Sequence, residues 1–163
     1  MKKVINKKAI LLFGPSGAGK TTLARNISNK YDFKHCDSDY FMLAFSPKRS
    51  KERSEIAINI CYTYAKALIA REYNIITEAL NPNKIASLKR LLKKNKYEII
   101  EISLSCSIDH CLKNNKTRTE RYFSEAIIKK VFKKYSYRRG YVLDVTNLSE
   151  MKVFKIVEKE FLK

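Results

Sequence analysis

The sequence predicts an α/β fold, a three-layer sandwich in which a five-stranded parallel sheet carries helices on both faces. Three observations point to it. Short apolar runs alternate with longer amphipathic segments along the 163 residues. The first of these runs, residues 9–13, is apolar throughout rather than at every second position, as in a strand covered on both sides. Each of the first four is followed by a segment of helical length, the connection that parallel strands require.

In chain order, residues 9–13 (AILLF) form the first strand and residues 21–30 the first helix. Residues 33–39 (FKHCDSD) give a second strand ending in two acids. Residues 52–73 form a long helix, with Ile56, Ile60, Tyr64, Ala67 and Leu68 near helical spacing. Residues 74–79 are a strand, and 83–96 an amphipathic helix whose inner face carries Ile85, Leu88, Leu91 and Leu92. Residues 97–105 are a strand, and 107–115 begin a helix with Ser107 at the N-cap. Residues 124–137 are helical, 140–146 are the fifth strand and 148–163 the closing helix. There is no repeat and no Pro/Gly/Ser-rich linker, with four Gly and three Pro in all. One domain over residues 1–163 is expected.

No apolar run approaches the ~20 residues that span a bilayer. The opening lysines precede only a five-residue apolar run without a cleavage site, so a cytoplasmic location and no membrane partner are expected. Cys36, Cys61, Cys106 and Cys111 show no zinc spacing and are read as reduced, mostly buried thiols. His35 and His110 read as isolated. The net charge is +18, with 25 Lys against 9 Arg. An AT-rich coding sequence accounts for the Lys:Arg ratio better than for the shortage of acids, so a polyanionic partner is expected.

The sharpest signal is Gly14-Pro15-Ser16-Gly17-Ala18-Gly19-Lys20-Thr21, which fits G-x-x-x-x-G-K-[ST] between a strand and a helix. Small residues let backbone N–H groups crowd onto phosphate oxygens, and the helix start adds its positive dipole end. Lys20 then reaches the β- and γ-phosphates and Thr21 ligates Mg²⁺, with Thr22 starting the helix. A purine triphosphate is expected, ATP rather than GTP, on the reading that no guanine-reading N-K-x-D motif is present.

Asp37 and Asp39, at i and i+2 where the second strand ends, offer one carboxylate to Mg²⁺-bound water (Asp37) and one to the attacking hydroxyl (Asp39). Glu78 ends the third strand as an outer metal residue, an acceptor contact or a cap for the next helix. Residues 114–124 are polar and basic and read as a lid, with Arg118 and Arg121 the arginines that would neutralise the transferred phosphoryl group.

At these residues the chain resembles the P-loop kinases of the polynucleotide 5′-hydroxyl kinase and shikimate kinase-like group, AAA-type ATP-binding kinase domains. The motifs are the phosphate loop, the D-x-D and E-A-L strand ends, the lid and "YVLDVTNLS". The shikimate branch also has a glycine triplet where Glu78-Ala79-Leu80 stands. The lid looks more like that of the polynucleotide kinases, whose lid arginine falls on Arg118 and whose activating aspartate falls on Asp39. Met42 and Asn114 stand where those kinases carry further arginines. The resemblance implies strand order 2-3-1-4-5, and it places Asn147 and Leu148 beside the adenine. It also implies transfer of the ATP γ-phosphoryl to a hydroxyl, with a nucleic-acid 5′-OH favoured by the charge. The alternatives are a small-molecule kinase, and an ATP-gated nucleic-acid binder without transfer. The basic runs Lys48, Arg49, Lys51, Arg53 and Lys129, Lys130, Lys133, Lys134, Arg138, Arg139, with Tyr122, Phe132, Tyr135 and Tyr137 among them, are the surfaces such a partner would meet.

Overall fold

A computed structural model describes residues 7–46, 48, 50–78, 80–117, 123–134 and 139–163. Among these are five strands and seven helices, and the strands form one parallel sheet in the order β2-β3-β1-β4-β5. This is the expected class and order. The chain divides into two compact units, one comprising the chain up to Leu11 and Ser28–Ile100, the other Leu12–Ile27 and Glu101–Lys163. The division passes through β1 (Lys8–Phe13), α1 (Lys20–Tyr31) and β4 (Glu98–Ser105).

In the first unit, β2 (Lys34–Asp37) pairs with β3 (Ile75–Glu78) so that His35 lies opposite Ile76 and Asp37 opposite Glu78. β2 is shorter than expected, because the chain turns helical at Ser38. Asp37 is the N-cap of α2 (Ser38–Phe45), its Oδ1 accepting from the Asp39 N–H at 2.9 Å. This helix is absent from the sequence reading. Tyr40, Leu43 and Phe45 stay at least 44% exposed, so no apolar stripe of helical period marks it.

α3 (Lys51–Ala70) is capped by Ser50, and its packed face is Arg53, Ala57, Cys61, Ala65, Leu68 and Ile69. The predicted stripe is therefore rotated, since Ile60 and Tyr64 are exposed. Small side chains at 57, 61 and 65 let α3 lie close on β2, β3 and α2. α4 (Pro82–Lys94) follows, capped by Asn81 with Pro82 in its first turn. Ile85, Leu88 and Leu92 are its buried face, as the spacing predicts.

In the second unit, the phosphate loop leads into α1. α5 (Ile108–Lys116) is capped by Ser107 as expected, and α6 (Glu125–Lys134) buries Ile128. β5 (Tyr141–Asp144) pairs with β4, Ser103 standing opposite Val142. The buried Ser103 Oγ donates to the Arg139 carbonyl at 2.7 Å and accepts from the Arg139 N–H at 2.8 Å. α7 (Glu150–Phe161) buries Val153, Phe154 and Val157.

Candidate nucleotide and acid sites

In the second unit, the loop between β1 and α1 folds around its own lysine. The Lys20 ammonium donates to the carbonyls of Gly14 and Pro15, both at 3.0 Å, which holds the charge over the loop before any phosphate arrives. At Gly17, φ is +93°, and a Cβ there would lie 2.7 Å from the Cys111 carbonyl oxygen in α5. Only glycine allows that helix to rest on the loop. At Gly19, φ is +88°, but a Cβ would meet nothing within 4 Å. Gly19 and Ala18 instead line a cavity of about 890 Å³ that Thr22, Asn147 and Leu148 also line. That size falls within the ~300–1,000 Å³ typical of small-molecule sites. An open glycine on the cavity wall, a helix N-terminus and a fixed cation fit a polyphosphate. Asn147 and Leu148, the residues expected beside the adenine, are among those lining the cavity. Thr21 sits half-buried in the first turn of α1.

α5 also ties this loop to the segment after β5. Asn114 Nδ2 lies 2.9 Å from the Gly17 carbonyl and 2.9 Å from His110 Nε2, while His110 Nδ1 lies 2.9 Å from the Thr146 carbonyl. His110 is therefore not isolated. Cys106 and Cys111 are free thiols with their sulfurs 3.1 Å apart, and that contact together with burial raises the Cys106 thiol well above its ordinary value. Arg118 and Arg121 lie outside the described residues. At the edges of that stretch, the buried Asn115 amide donates to the Phe123 carbonyl at 2.7 Å and accepts from the Phe123 N–H at 3.1 Å.

In the first unit, the β2–β3 register puts three side chains on one face. Asp37 and Glu78 are opposite one another, and His35 is two residues before Asp37. His35 Nε2 lies 3.0 Å from Glu78 Oε1, and the ligand atoms of His35, Asp37 and Glu78 all fall within 4.8 Å of one another. The reading of His35 as isolated is overturned; its spacing from Asp37 on a strand was the available signal. Glu78 is buried and does not cap α4, a role held by Asn81. Two carboxylates and an imidazole are a donor set that suits a divalent cation. Asp39 follows two residues on, half-buried in the first turn of α2, with its N–H on Asp37 Oδ1. Cys61, on the face of α3 packed over this strand pair, is pushed up to about 12, first by burial and then by the charges of Asp37, Glu78 and Asp39. Cys36 is raised further, mainly by burial.

One surface expectation changes. Arg53 is buried, with Nη1 donating to the Ser46 carbonyl at 2.8 Å, so it does not belong to an exposed basic run. Lys48, Lys51, Lys129, Lys130, Lys133 and Arg139 are exposed, and Phe132 is half-buried. Arg49, Tyr122, Tyr135, Tyr137 and Arg138 lie outside the described residues, as does the Lys134 side chain. The guanine argument also needs correction, because residues 29–32 read N-K-Y-D. These residues close α1, and the Asp32 carboxylate is bonded to Lys34 at 2.6 Å instead of being held out for a base.

The family model described as an AAA domain, AAA_33, matches residues 10–139. The chain belongs to the AAA_33 family. Among curated proteins, this AAA_33 chain is similar to the replication factor C large subunit of Sulfurisphaera tokodaii, with 30% identity over 102 residues. That match takes in 58% of this chain and 22% of the relative, so the chain spans about a fifth of that protein's length. Among solved structures, the AAA_33 chain is similar to a protein assigned as a kinase from Chloroflexus aurantiacus (TM-score 0.73, 16% identity, 96% of this chain and 97% of that one). It is also similar to a chain of the Pnkp1/Rnl/Hen1 RNA repair complex (TM-score 0.68, 19% identity, 83% and 46%). A third likeness is to shikimate kinase from Bacteroides thetaiotaomicron (TM-score 0.65, 12% identity, 93% and 97%). The AAA_33 fold seen here is that of the P-loop kinases. No helix among the described residues is long and apolar enough to cross a membrane.

Proposed function

We propose that this chain is an ATP-dependent phosphotransferase that moves the γ-phosphoryl group to a hydroxyl, with a polynucleotide 5′-OH as the acceptor. The observation that carries the reading is the phosphate loop, with Lys20 held on the carbonyls of Gly14 and Pro15. Backbone amides of residues 16–19 and the Lys20 ammonium bind the phosphates, and Asn147 borders the adenine. Thr21 and Asp37 are the proposed residues for Mg²⁺, with Glu78 behind them, and the ion would supply positive charge to the phosphates. Asp39 accepts the proton of the acceptor hydroxyl as its oxygen forms the new bond to phosphorus. The bond from the γ-phosphorus to the bridging oxygen breaks, and ADP leaves. Arg118 and Arg121 are the proposed arginines of a lid over residues 114–124.

Two features support a nucleic-acid acceptor. The exposed lysines offer phosphate contacts in number. Next to Asp39, the rings of Tyr40, Phe41 and Tyr64 form an edge-to-face series, 5.6 and 6.0 Å between centroids, with Tyr40 64% exposed for stacking on a base. The Pnkp1 likeness is in line with this reading.

The test is transfer of label from γ-labelled ATP to 5′-hydroxyl oligonucleotides and to a nucleoside panel, at low and high salt. Label on the oligonucleotide, falling steeply with salt and absent in Lys20→Ala, is expected. Label on nucleosides without a salt slope would move the acceptor to small molecules. No labelled product from any acceptor, with ATP binding intact, would refute the phosphotransferase.

A further inference from the structure

Five contacts link the end of β5 to the phosphate loop. Thr146 Oγ1 donates to Asp144 Oδ1 at 2.7 Å and accepts from the Ser107 N–H at 3.1 Å. The Thr146 carbonyl faces His110 Nδ1, and Asn114 Nδ2 faces both His110 Nε2 and the Gly17 carbonyl.

The protons in this chain are fixed by its two ends. A backbone carbonyl only accepts. Gly17 therefore requires the NH₂ of Asn114 on its side, and that NH₂ also meets His110 Nε2, which must accept. Thr146 requires a proton on Nδ1. Only the neutral imidazole carrying its proton on Nδ1 satisfies every member. A second proton, on Nε2, would point at the Asn114 NH₂. Turning that amide over puts Oδ1 against the Gly17 carbonyl and abolishes the tie to the loop.

We infer that His110 and Asn114 are positioning residues for the nucleotide, holding the phosphate loop in its binding form only while His110 is neutral. This rests on the nucleotide reading given above. Both side chains also line the cavity. The charged groups around the pair are Asp109 and Lys113 on α5, Glu150 on α7, Asp144 at the end of β5 and Lys20 at the start of α1. A second proton on this ring would therefore weaken nucleotide binding.

Two measurements test this. The first is the imidazole ¹⁵N spectrum of the full chain at pH 7.5, which reads the tautomer without a ligand. His110 is expected neutral with its proton on Nδ1, and a proton on Nε2 would overturn the inference. The second is the affinity of a non-hydrolysable ATP analogue between pH 7.5 and 5.5, taken as a ratio to His110→Asn. Asparagine keeps a donor for Thr146 and does not titrate, and the ratio removes the titration of the nucleotide itself. A fall of about tenfold in the ratio, the weight of one hydrogen bond, is expected. A flat ratio with binding intact would sink this inference and leave the nucleotide reading standing. No binding at pH 7.5 would sink the nucleotide reading and the positioning role together. Asn114→Asp cannot donate to Gly17 and accepts from a protonated His110, so its affinity is low at pH 7.5 and does not fall further on acidification. A merely structural asparagine would leave the pH response unaltered.

Discussion

Replacing Gly17 by alanine should damage the fold far more than the same change at Gly19, two residues away. Both backbones have positive φ, +93° and +88°, so both alanines pay a conformational penalty of ~1–2 kcal/mol. Against this, each removes unfolded-state freedom worth ~0.4–1 kcal/mol. The difference lies in the surroundings. At Gly17 the new Cβ would sit 2.7 Å from the Cys111 carbonyl oxygen and 2.9 Å from its Cα, both backbone atoms of a packed helix. Relieving such an overlap means moving α5, and overpacking of this kind typically costs ~1–3 kcal/mol. At Gly19 there is no neighbour within 4 Å. Gly17→Ala is therefore expected to lose ~1–3 kcal/mol more than Gly19→Ala. The chain has no tryptophan, so urea unfolding is followed by far-UV circular dichroism, with midpoints compared at constant m. Equal losses, or a larger loss at Gly19, would refute the argument that α5 seats on the loop.

Two other outcomes follow from the acid site. Asp39→Asn should lower the transfer rate at least a hundredfold, the scale of general-base catalysis, with ATP affinity nearly unchanged. An equal loss of affinity would instead make Asp39 a metal residue. The Cys61 thiol, up from 9.0 to about 12, keeps its proton in the fold at pH values where the unfolded chain loses it. Its stabilising contribution is whole below pH 9 and is lost as pH rises toward 12, at up to about 1.4 kcal/mol per pH unit. Stability from urea midpoints should therefore fall more steeply between pH 8 and 10.5 in the wild type than in Cys61→Ala. Parallel falls would contradict the burial of this thiol on the packed face of α3.

Local chemistry was legible wherever it depended on neighbours in sequence. The phosphate loop, the Ser107 cap and the buried stripe of α4 were all readable from spacing alone. α2 was not, because its length is set by the Asp37 cap and its side chains are mostly exposed, leaving no period to detect. The true face of α3 was hidden for the opposite reason. Its contact residues are small, and the larger Ile60 and Tyr64 drew the stripe toward solvent. His35 and His110 were misjudged because their partners, Glu78 and Thr146, lie 43 and 36 residues away in sequence. Only the strand register and the placement of α5 bring these pairs together.

The hydroxyl of Ser103 does for β5 what a tight turn does for a hairpin. By taking hold of both the amide and the carbonyl of Arg139, it fixes the chain two residues ahead of β5. The alignment of β4 with β5 is thereby independent of how many residues lead into it. A peptide tag or reporter spliced in before Arg139 should leave Leu143 facing the core, whereas a single residue added after it would turn that face outward.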